Sequence, residues 1–372
     1  MLTSPFMGAS ARDQRISSIL DETGHRAFLF SVTVISARTQ PLWYTLSNRE
    51  ELRVKVIVQI PCFNEEKTLP LVLKSIPRKI PGVDSLEILI IDDGSTDKTI
   101  AVAKKLGVRH IVRHTGNRGL GRSFRLGFER ALELGADIVV NTDGDNQYPQ
   151  RRIPDLVRPI IQGKADIVIA DRQTKKIAHF SPFKKLLQRI GSHVVNVAAG
   201  TDLPDAASGF RAYSREALLE LNPITSFSYC METIIQAGNK RLAITSIQIT
   251  TNHKTRESRL FKSTWEHVRK SAGAIIRAYI MYRPHVVFGW TAAILFVVGA
   301  LPFARFLYLS ATDSGGHGHL QSLIIGMLLL MASFLCLVLM VIADLIRTNR
   351  TLLEQNLEHT KRMRFARSDK QQ

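Results

Sequence analysis

Cysteine is scarce in this chain of 372 residues, and its pattern excludes two kinds of cross-linked site. The three cysteines are Cys62, Cys230 and Cys336, odd in number and far apart. Neither a disulfide framework nor a zinc site built from closely spaced thiols is therefore predicted. A reducing compartment fits this cysteine pattern, and no secretory signal peptide is evident.

Acidic residues are also in the minority. There are 32 of them against 50 lysines and arginines, which gives a formal net charge of +18. Such an excess suggests an anionic partner: nucleic acid, anionic lipid or a phosphorylated substrate. We find no nucleic-acid-binding motif. The composition, 45% hydrophobic and 22% charged, excludes a wholly disordered chain.

Two long apolar segments, 286–309 and 320–343, predict a transmembrane helical hairpin within residues 286–346. Each is long enough to cross a hydrocarbon core about 30 Å thick. The connecting loop, 311–319, has no lysine or arginine, whereas the flanks are basic. The asymmetry predicts that both ends, including a basic tail at 347–372, are cytoplasmic and that the loop is outside. The alternative is a pair of buried helices in a soluble core.

Three further zones complete the organisation. Residues 261–285 place apolar side chains at helical spacing among basic ones, which predicts an amphipathic helix on the membrane surface or an ordinary helix packed on the preceding domain. Residues 53–260 alternate apolar runs with helical patterns and predict an α/β domain. Residues 1–52 match no pattern and are assigned no role.

The strands of the α/β domain are short and almost continuously apolar, as in a parallel sheet buried on both faces. Four strands are predicted, at Val54–Ile60, Leu86–Ile91, Ala136–Asn141 and Ala165–Ala170. Helical patterns cover 95–106 and 120–134, and Ser95 or Thr96 is a candidate cap for the first helix.

Carboxylates directly follow three of these strands, within residues 61–66, 92–97 and 142–147. Because ligands of parallel α/β sheets bind at the carboxyl ends of the strands, the three segments predict one site. Asp143 and Asp145, separated by one glycine, can both reach one hard cation, and a diphosphate would supply further oxygens. The pattern therefore indicates a hard divalent cation, such as Mg²⁺ or Mn²⁺, held together with a diphosphate.

Five short blocks occur in a characteristic order along the chain. They are Pro61-Cys-Phe-Asn-Glu65, Asp92-Asp-Gly-Ser-Thr-Asp97, Asn117-Arg-Gly119, Asp143-Gly-Asp-Asn-Gln-Tyr-Pro149 and Asp205-Ala-Ala-Ser-Gly-Phe-Arg211. In this order they resemble glycosyltransferase family 2, and within it the dolichyl-phosphate and polyprenyl-phosphate glycosyltransferases. The resemblance covers about residues 53–260 and implies a GT-A fold, a Rossmann-like domain with a mostly parallel sheet.

The resemblance also implies roles for individual residues. Contacts to a nucleotide-sugar are expected from Pro61, Phe63, Asn64, Glu65, Ile91, Asp93, Asp143, Gly144, Asp145 and Arg172. The expected metal ligands are Asp143, Asp145 and Gln147. Catalytic roles are expected for Asp143, Asp145, Arg172 and Asp205. Phosphate or acceptor contacts are expected from Lys184, Lys185, Arg256, Ser258 and Arg259, although Arg259 stands where the family has lysine.

The implied activity is an inverting, metal-dependent transfer of a sugar from a UDP- or GDP-sugar to a polyprenyl phosphate at the cytoplasmic membrane face, the inner membrane in a bacterium. A lipid phosphate is already ionised and hardly needs a general base. A hydroxyl acceptor, on a lipid or a polysaccharide, is the main alternative and would need a base, for which Asp205 is the candidate. The Gln-x-x-Arg-Trp motif of processive synthases is missing.

A second alternative is a membrane-tethered nucleotide-binding protein without catalytic activity. The sequence leaves open which sugar is moved, which nucleotide carries it and whether the chain forms a homo-oligomer.

Overall fold

The computed structural model describes residues 53–174, 182–223, 229–252, 280–312 and 320–366, together with residue 273. The N-terminal extension, most of the predicted interfacial helix and the loop between the apolar helices lie outside these ranges.

The strands of the described part form one mixed sheet of seven. They are β1 (Lys55–Cys62), β2 (Ser85–Asp92), β3 (His110–Arg113), β4 (Ile138–Asn141), β5 (Ile167–Asp171), β6 (Arg211–Ser214) and β7 (Ile244–Gln248). The helices are α1 (Leu69–Ser75), α2 (Thr99–Lys105), α3 (Leu120–Glu133), α4 (Ile153–Ile161), α5 (Pro182–Ala199), α6 (Arg215–Glu220), α7 (Tyr229–Asn239), α8 (Pro284–Thr312) and α9 (Leu320–Arg364).

The strand order is β3-β2-β1-β4-β6-β5-β7. The pairs among β1, β2, β3 and β4 are parallel, as is β5 with β7, whereas β6 runs antiparallel to both of its neighbours. The predicted GT-A-type α/β fold with a mostly parallel sheet is confirmed. Chain order reverses between β1 and β4, which is where open α/β sheets form a ligand crevice.

The sheet separates two apolar layers, as the period-2 geometry of strands requires. Along β1, the side chains of Val56, Val58 and Ile60 pack with α1 and α4, and Ile57 faces α3 on the other side. All four are fully buried. The central strands are therefore covered on both faces, as their nearly continuous apolar sequences predict.

Each of the four predicted strands is present, within two residues at either end, whereas β3, β6 and β7 were not predicted. The expected cap of α2 was wrong. The helix begins at Thr99, and the side chain of its N-cap residue, Lys98, makes no capping hydrogen bond. Ser95 instead accepts a hydrogen bond from the backbone N–H of Asn64, 2.9 Å away. The competing bond links two loops rather than ending a helix.

Helices α8 and α9 are the two apolar helices predicted near the C-terminus, and both are long and apolar enough to cross a membrane. They pack antiparallel along a seam of small residues. A Cβ added to Gly299 would lie 2.8 Å from the Cβ of Leu329, and Ser333 donates to the carbonyl of Ala292 at 2.8 Å. Small residues allow this close approach of two helices.

Helix α9 does not stop where its apolar segment ends. It continues to Arg364, through most of the segment predicted as a basic tail, and its end docks on the α/β domain. The ammonium of Lys361 donates to the carbonyl of Leu221 at 2.8 Å. Arg215 donates to the carbonyl of Phe365, whose side chain is only 7% exposed within the domain core.

Candidate active site

The loops that follow β1 and β2 are tied together by side chains of the first two sequence blocks. The carboxamide oxygen of Asn64 accepts from the backbone N–H of Thr96 at 2.8 Å. The backbone N–H of Glu65 donates to the hydroxyl of Thr99 at 2.7 Å. Asn64 has a left-handed backbone, with φ of 58°, which asparagine tolerates better than most residues. The block resembling a nucleotide-binding motif thus first builds a rigid double loop.

Asp93 connects this double loop to the segment that precedes α3. Its carboxylate accepts from the backbone N–H groups of Arg118 at 2.8 Å and Gly119 at 2.9 Å. Gly94, with φ of +77°, lies so close to this segment that a Cβ would stand 2.6 Å from the carbonyl carbon of Gly116. Both the backbone conformation and the lack of space require glycine here.

The loop that follows β4 carries the predicted metal-binding carboxylates. Gln147 donates to Asp145 twice, from its side-chain amide at 2.8 Å and from its backbone N–H at 3.1 Å. Asn146, between them, is left-handed with φ of 61°. In the structure Gln147 therefore orients the carboxylate of Asp145. Its predicted role as a direct metal ligand stays a prediction.

The loops after β1 and β4 meet at Cys62 and Gly144. A Cβ on Gly144 would lie 3.2 Å from the thiol of Cys62 and 3.2 Å from Cγ of Glu65. Burial first, and then the carboxylates around it, including Glu65 and Asp143, raise the pKa of the Cys62 thiol. The acidic segments predicted to share one edge of the sheet do converge, around a thiol that stays protonated.

Asn252 also holds the acidic loop, and sequence analysis missed it. Its backbone N–H donates to the carbonyl of Gln147 at 2.9 Å, and its amide donates to the carbonyls of Asn146 at 3.0 Å and Tyr148 at 3.2 Å. It lies four residues after β7, a strand that was not predicted, so no sequence signal related it to the site. The chain beyond β7 thus passes beside Asp145.

Arg172, at the end of β5, pairs with Asp205. The guanidinium donates from Nε at 2.6 Å and from Nη2 at 2.9 Å, and Asp205 is 1% exposed. Burial would raise the pKa of Asp205, but the charge and hydrogen bonds of Arg172 outweigh it and hold the pKa below its usual value. Burial would lower the pKa of Arg172, and Asp205 raises it. Both groups stay charged.

The remaining predicted residues fall into three groups. Pro61 and Ile91 are register partners on β1 and β2, and Ile91 is fully buried against α3; its side chain belongs to the core. Phe63 is half-buried in the loop after β1. Lys184 and Lys185 lie in the first turn of α5, but their side chains, and all of Arg256, Ser258 and Arg259, lie outside the described residues.

The donor chemistry of the acidic loop fits a hard divalent cation. Asp143 and Asp145 offer carboxylate oxygens from one loop, and Asp145 is already oriented by Gln147. Among the described residues, no three histidine, cysteine, aspartate or glutamate side chains group as a complete metal site. Mg²⁺ is typically held by one or two carboxylates, with substrate phosphates and water as its other ligands.

The α/β domain matches known proteins along most of its length. The family model described as "Glycosyl transferase family 2" matches residues 57–221, from β1 through α6. An uncharacterised protein of Methanocaldococcus jannaschii is 32% identical over 53% of this chain and 81% of its own length.

Two relatives carry names that state an activity. A polyprenol monophosphomannose synthase of Mycolicibacterium smegmatis is 28% identical over 58% of this chain and 84% of its own length. A UDP-N-acetylglucosamine–dolichyl-phosphate N-acetylglucosaminyltransferase of Methanococcus voltae is 29% identical over 52% of this chain and 83% of its own length. With the sheet order and the converging acidic loops, these matches show that the chain is a glycosyltransferase and belongs to glycosyltransferase family 2.

Proposed function

We propose that this glycosyltransferase moves a sugar from a nucleotide-sugar to a polyprenyl phosphate at a membrane surface, with a divalent cation bound at Asp143 and Asp145. The observation that carries the proposal is the convergence of the β1, β2 and β4 loops beside the point where chain order reverses. The names of the two relatives above support a polyprenyl-phosphate acceptor. Because those relatives move different sugars, the sugar stays open.

The Arg172–Asp205 pair favours an acceptor that is already ionised. A general base must be able to take up a proton near the working pH. Asp205 is buried, accepts two bonds from Arg172 and has a lowered pKa, so it is poorly suited to deprotonate a hydroxyl acceptor. A phosphate acceptor makes no such demand. The geometry therefore does not favour the hydroxyl-acceptor alternative.

The C-terminal helices support the membrane location. Their outward side chains are large and apolar, with Trp290 69% exposed and Leu301 68% exposed, which suits contact with lipid. Arg364 pairs with Glu133 of α3 at 2.7 Å. The contact between the end of α9 and the catalytic domain supports a topology in which the two lie on one side of the membrane.

The residues of the proposed site have separate roles in binding the cation and the phosphates. Asp143 and Asp145 would hold the cation, which when bound supplies charge neutralisation for the departing diphosphate. Arg172, fixed by Asp205, adds positive charge beside the site. The segment after Asn252 carries Arg256, Ser258 and Arg259, the predicted phosphate contacts. Asn252, the last described residue before them, binds the acidic loop.

A lipid-product assay tests the proposal. Purified protein is incubated with UDP- and GDP-sugars and with either polyprenyl phosphate or the neutral polyprenol, with Mg²⁺, Mn²⁺ or a chelator, and the lipid product is identified by mass. We expect product only with the phosphate and a cation. Equal glycosylation of the alcohol would favour the hydroxyl-acceptor alternative. Transfer that is unchanged by the chelator would show that the reaction needs no divalent cation.

The acceptor contact can be tested at Arg259. Arg259→Ala removes a charge-assisted contact, typically ~1.5–3 kcal/mol, which is roughly ten- to a hundred-fold in transfer efficiency. Arg158→Ala is the matched control, because its exposed guanidinium pairs only with Asp155 among the interactions of the described residues. If both variants transfer sugar like wild type, Arg259 does not bind phosphate.

The topology can be tested by labelling cysteines from outside intact cells. A cysteine at Ser314, in the predicted outer loop, should react. One at Lys164, exposed on the catalytic domain, should not. The reverse pattern would invert the proposed orientation.

A further inference from the structure

A buried polar network lies behind the acidic loop that follows β4. Gln59 and Asn141 stand at register-paired positions of β1 and β4, Tyr229 begins α7 and Arg211 begins β6. All four side chains are at most 1% exposed. Burying polar groups costs free energy unless they are hydrogen-bonded, and apolar side chains would fill the space without that cost. The hydrogen bonds of these four residues indicate why polar side chains occupy these buried positions.

Asn141 is the first part of the network and comes two residues before Asp143. Its amide nitrogen donates to the carbonyl of Gly209 at 2.8 Å and to the hydroxyl of Tyr229 at 3.1 Å. Its amide oxygen accepts from Gln59 at 2.8 Å. The residue that ends β4 therefore holds the backbone of a second loop, 205–210, against the acidic loop.

Arg211 is the second part and binds the same 205–210 loop from its other side. The guanidinium donates to the carbonyls of Ser208 at 2.6 Å and Ala206 at 2.9 Å. It also donates to the carbonyl of Cys230 at 2.8 Å and the hydroxyl of Thr233 at 3.0 Å, both on α7. Only the planar guanidinium offers enough donors in a fixed geometry to make these contacts together.

Gly209 is the point where this loop meets the site. A Cβ added there would lie 3.1 Å from the hydroxyl of Tyr229 and 3.4 Å from a carboxylate oxygen of Asp143. Gly209 is not among the glycines with positive φ, so a side chain there is limited by space rather than by backbone conformation, and the hydroxyl of Tyr229 would be its tightest neighbour. The bare backbone of Gly209 packs between the network and the carboxylate.

We propose that Arg211 and Asn141 are positioning residues for glycosyl transfer, because they hold the Gly209 backbone against Asp143 and so fix the direction in which its carboxylate faces the donor diphosphate and cation. This inference rests on the proposed role of Asp143. Groups that orient a metal ligand typically change metal affinity or activity by about 10- to 100-fold when they are removed.

The first test compares two arginines that both bind backbone carbonyls. Arg211→Lys keeps the charge but loses the fork, whereas Arg215→Lys loses contacts to the carbonyls of Ala136 and Phe365, away from the site. Mn²⁺ affinity is measured by electron paramagnetic resonance with UDP or GDP present, alongside kcat, KM for the lipid and the unfolding temperature.

We expect Arg211→Lys to weaken Mn²⁺ binding and lower kcat by about ten-fold or more, with little change in KM for the lipid. Arg215→Lys should lower the unfolding temperature without changing Mn²⁺ affinity. Equal losses of Mn²⁺ affinity in both variants would mean a general effect on stability and would overturn the inference.

A second test works even if the arginine variants do not fold. Gly209→Ala should weaken Mn²⁺ binding by about ten-fold and leave the unfolding temperature close to wild type. Tyr229→Phe removes the nearest atom that the new methyl group meets, so adding it to Gly209→Ala should restore part of the lost affinity. Losses that simply add in the double variant would contradict the proposed contact.

Asp143→Asn separates this inference from the function on which it rests. If Asp143→Asn leaves Mn²⁺ affinity unchanged, the metal role of Asp143 fails and the inference fails with it. If Asp143→Asn loses affinity but Arg211→Lys and Gly209→Ala do not, the proposed function stands and the positioning role alone is wrong.

Discussion

The edge of the sheet and the docked end of α9 hold their charged groups in different ways. At the sheet edge, the Asp93 carboxylate, only 5% exposed, accepts two backbone N–H bonds from residues 118 and 119. At the docked end, the Arg364 side chain, 60% exposed, pairs with Glu133. Backbone donors are fixed by the fold, whereas exposed side chains can move away and find water instead. The charged groups of the site are therefore held in fixed positions, whereas the exposed charged groups of the docking surface can change position.

The largest loss of activity is expected from a substitution at Asp145, in the acidic loop at the sheet edge. Asp145→Asn replaces a charged ligand with a neutral one of nearly equal size, and Gln147 can still donate to it. We expect transfer to fall by roughly a thousand-fold, about 4 kcal/mol in the barrier, because the cation loses a charged ligand. Single-turnover rates and Mn²⁺ titrations measure the loss.

Asp155→Asn is the matched control for this substitution. Asp155 pairs with Arg152 at 3.0 Å and Arg158 at 3.2 Å near the surface of α4. Exposed ion pairs of this kind typically contribute only about 0–1 kcal/mol to stability. Asp155→Asn should therefore change transfer less than about two-fold. Near-wild-type activity and metal dependence in Asp145→Asn would remove Asp145 from the site.

The next largest effect is expected at the Arg172–Asp205 pair. Arg172→Met leaves Asp205 buried without its partner, and breaking a buried pair in this way costs about 3 kcal/mol or more of folding free energy. A buried, unpaired carboxylate has a raised pKa, so the folded variant takes up a proton more readily than the unfolded chain. Its deficit relative to wild type should therefore shrink as the pH is lowered.

Chemical unfolding of the full-length protein in detergent, followed at several pH values, measures that deficit. The double variant Arg172→Met/Asp205→Leu should recover part of the stability, since no buried charge is left unpaired. A deficit that does not depend on pH would mean that Asp205 is not the group left uncompensated.

At the docked end of α9 the order of effects should follow burial rather than charge. Phe365→Ala empties a core position that is 7% exposed and should cost about 3 kcal/mol. Arg364→Ala breaks an exposed ion pair and should cost under about 1 kcal/mol. Thermal unfolding of the two variants makes the comparison, and an equal or larger loss in Arg364→Ala would show that ion pairs dominate the docking.

Strong local patterns made the centre of the fold predictable from the sequence. Strands β1 and β2 are apolar runs of eight residues each, rich in valine and isoleucine and followed by turn residues, so their length, composition and flanks together locate them. Strand β6 is different. It has four residues and begins with Arg211, whose burial depends on carbonyls of the 205–210 loop and α7. A sequence window contains no information on such partners, and tertiary contacts override local propensity there.

The convergence of the acidic loops at one edge of the sheet was predictable from the sequence, and the contacts among their residues were less so. Asp143, Asp145 and Asp205 follow from motifs, but the pairing of Asp205 with Arg172 joins residues 33 positions apart and needs the fold. Asn252 was missed because a lone asparagine after an edge strand resembles any loop residue. The spacing of the motifs therefore predicted that the acidic loops come together. Only the structure shows which side chains hold which loops.

A buried lysine at the docked end of α9 makes the stability of that end depend on pH. Burial lowers the pKa of Lys361 to about 8, from an ordinary value of 10.5, while its ammonium donates to the carbonyl of Leu221. The unfolded chain therefore binds more protons than the folded one between about pH 8 and 10.5, and stability rises with pH across that window. Below it, both states are protonated and the cost of the buried charge is constant.

Lys361→Gln isolates this contribution, because glutamine can still donate to the carbonyl of Leu221 but does not titrate. We expect the unfolding temperature of wild type, relative to Lys361→Gln, to rise from pH 8 towards 10.5 and to be flat below pH 8. Other groups titrate in the same range, but they are common to both proteins and cancel in the difference. A flat difference throughout would mean that Lys361 is solvated, and that the end of α9 rests on the catalytic domain without burying its lysine.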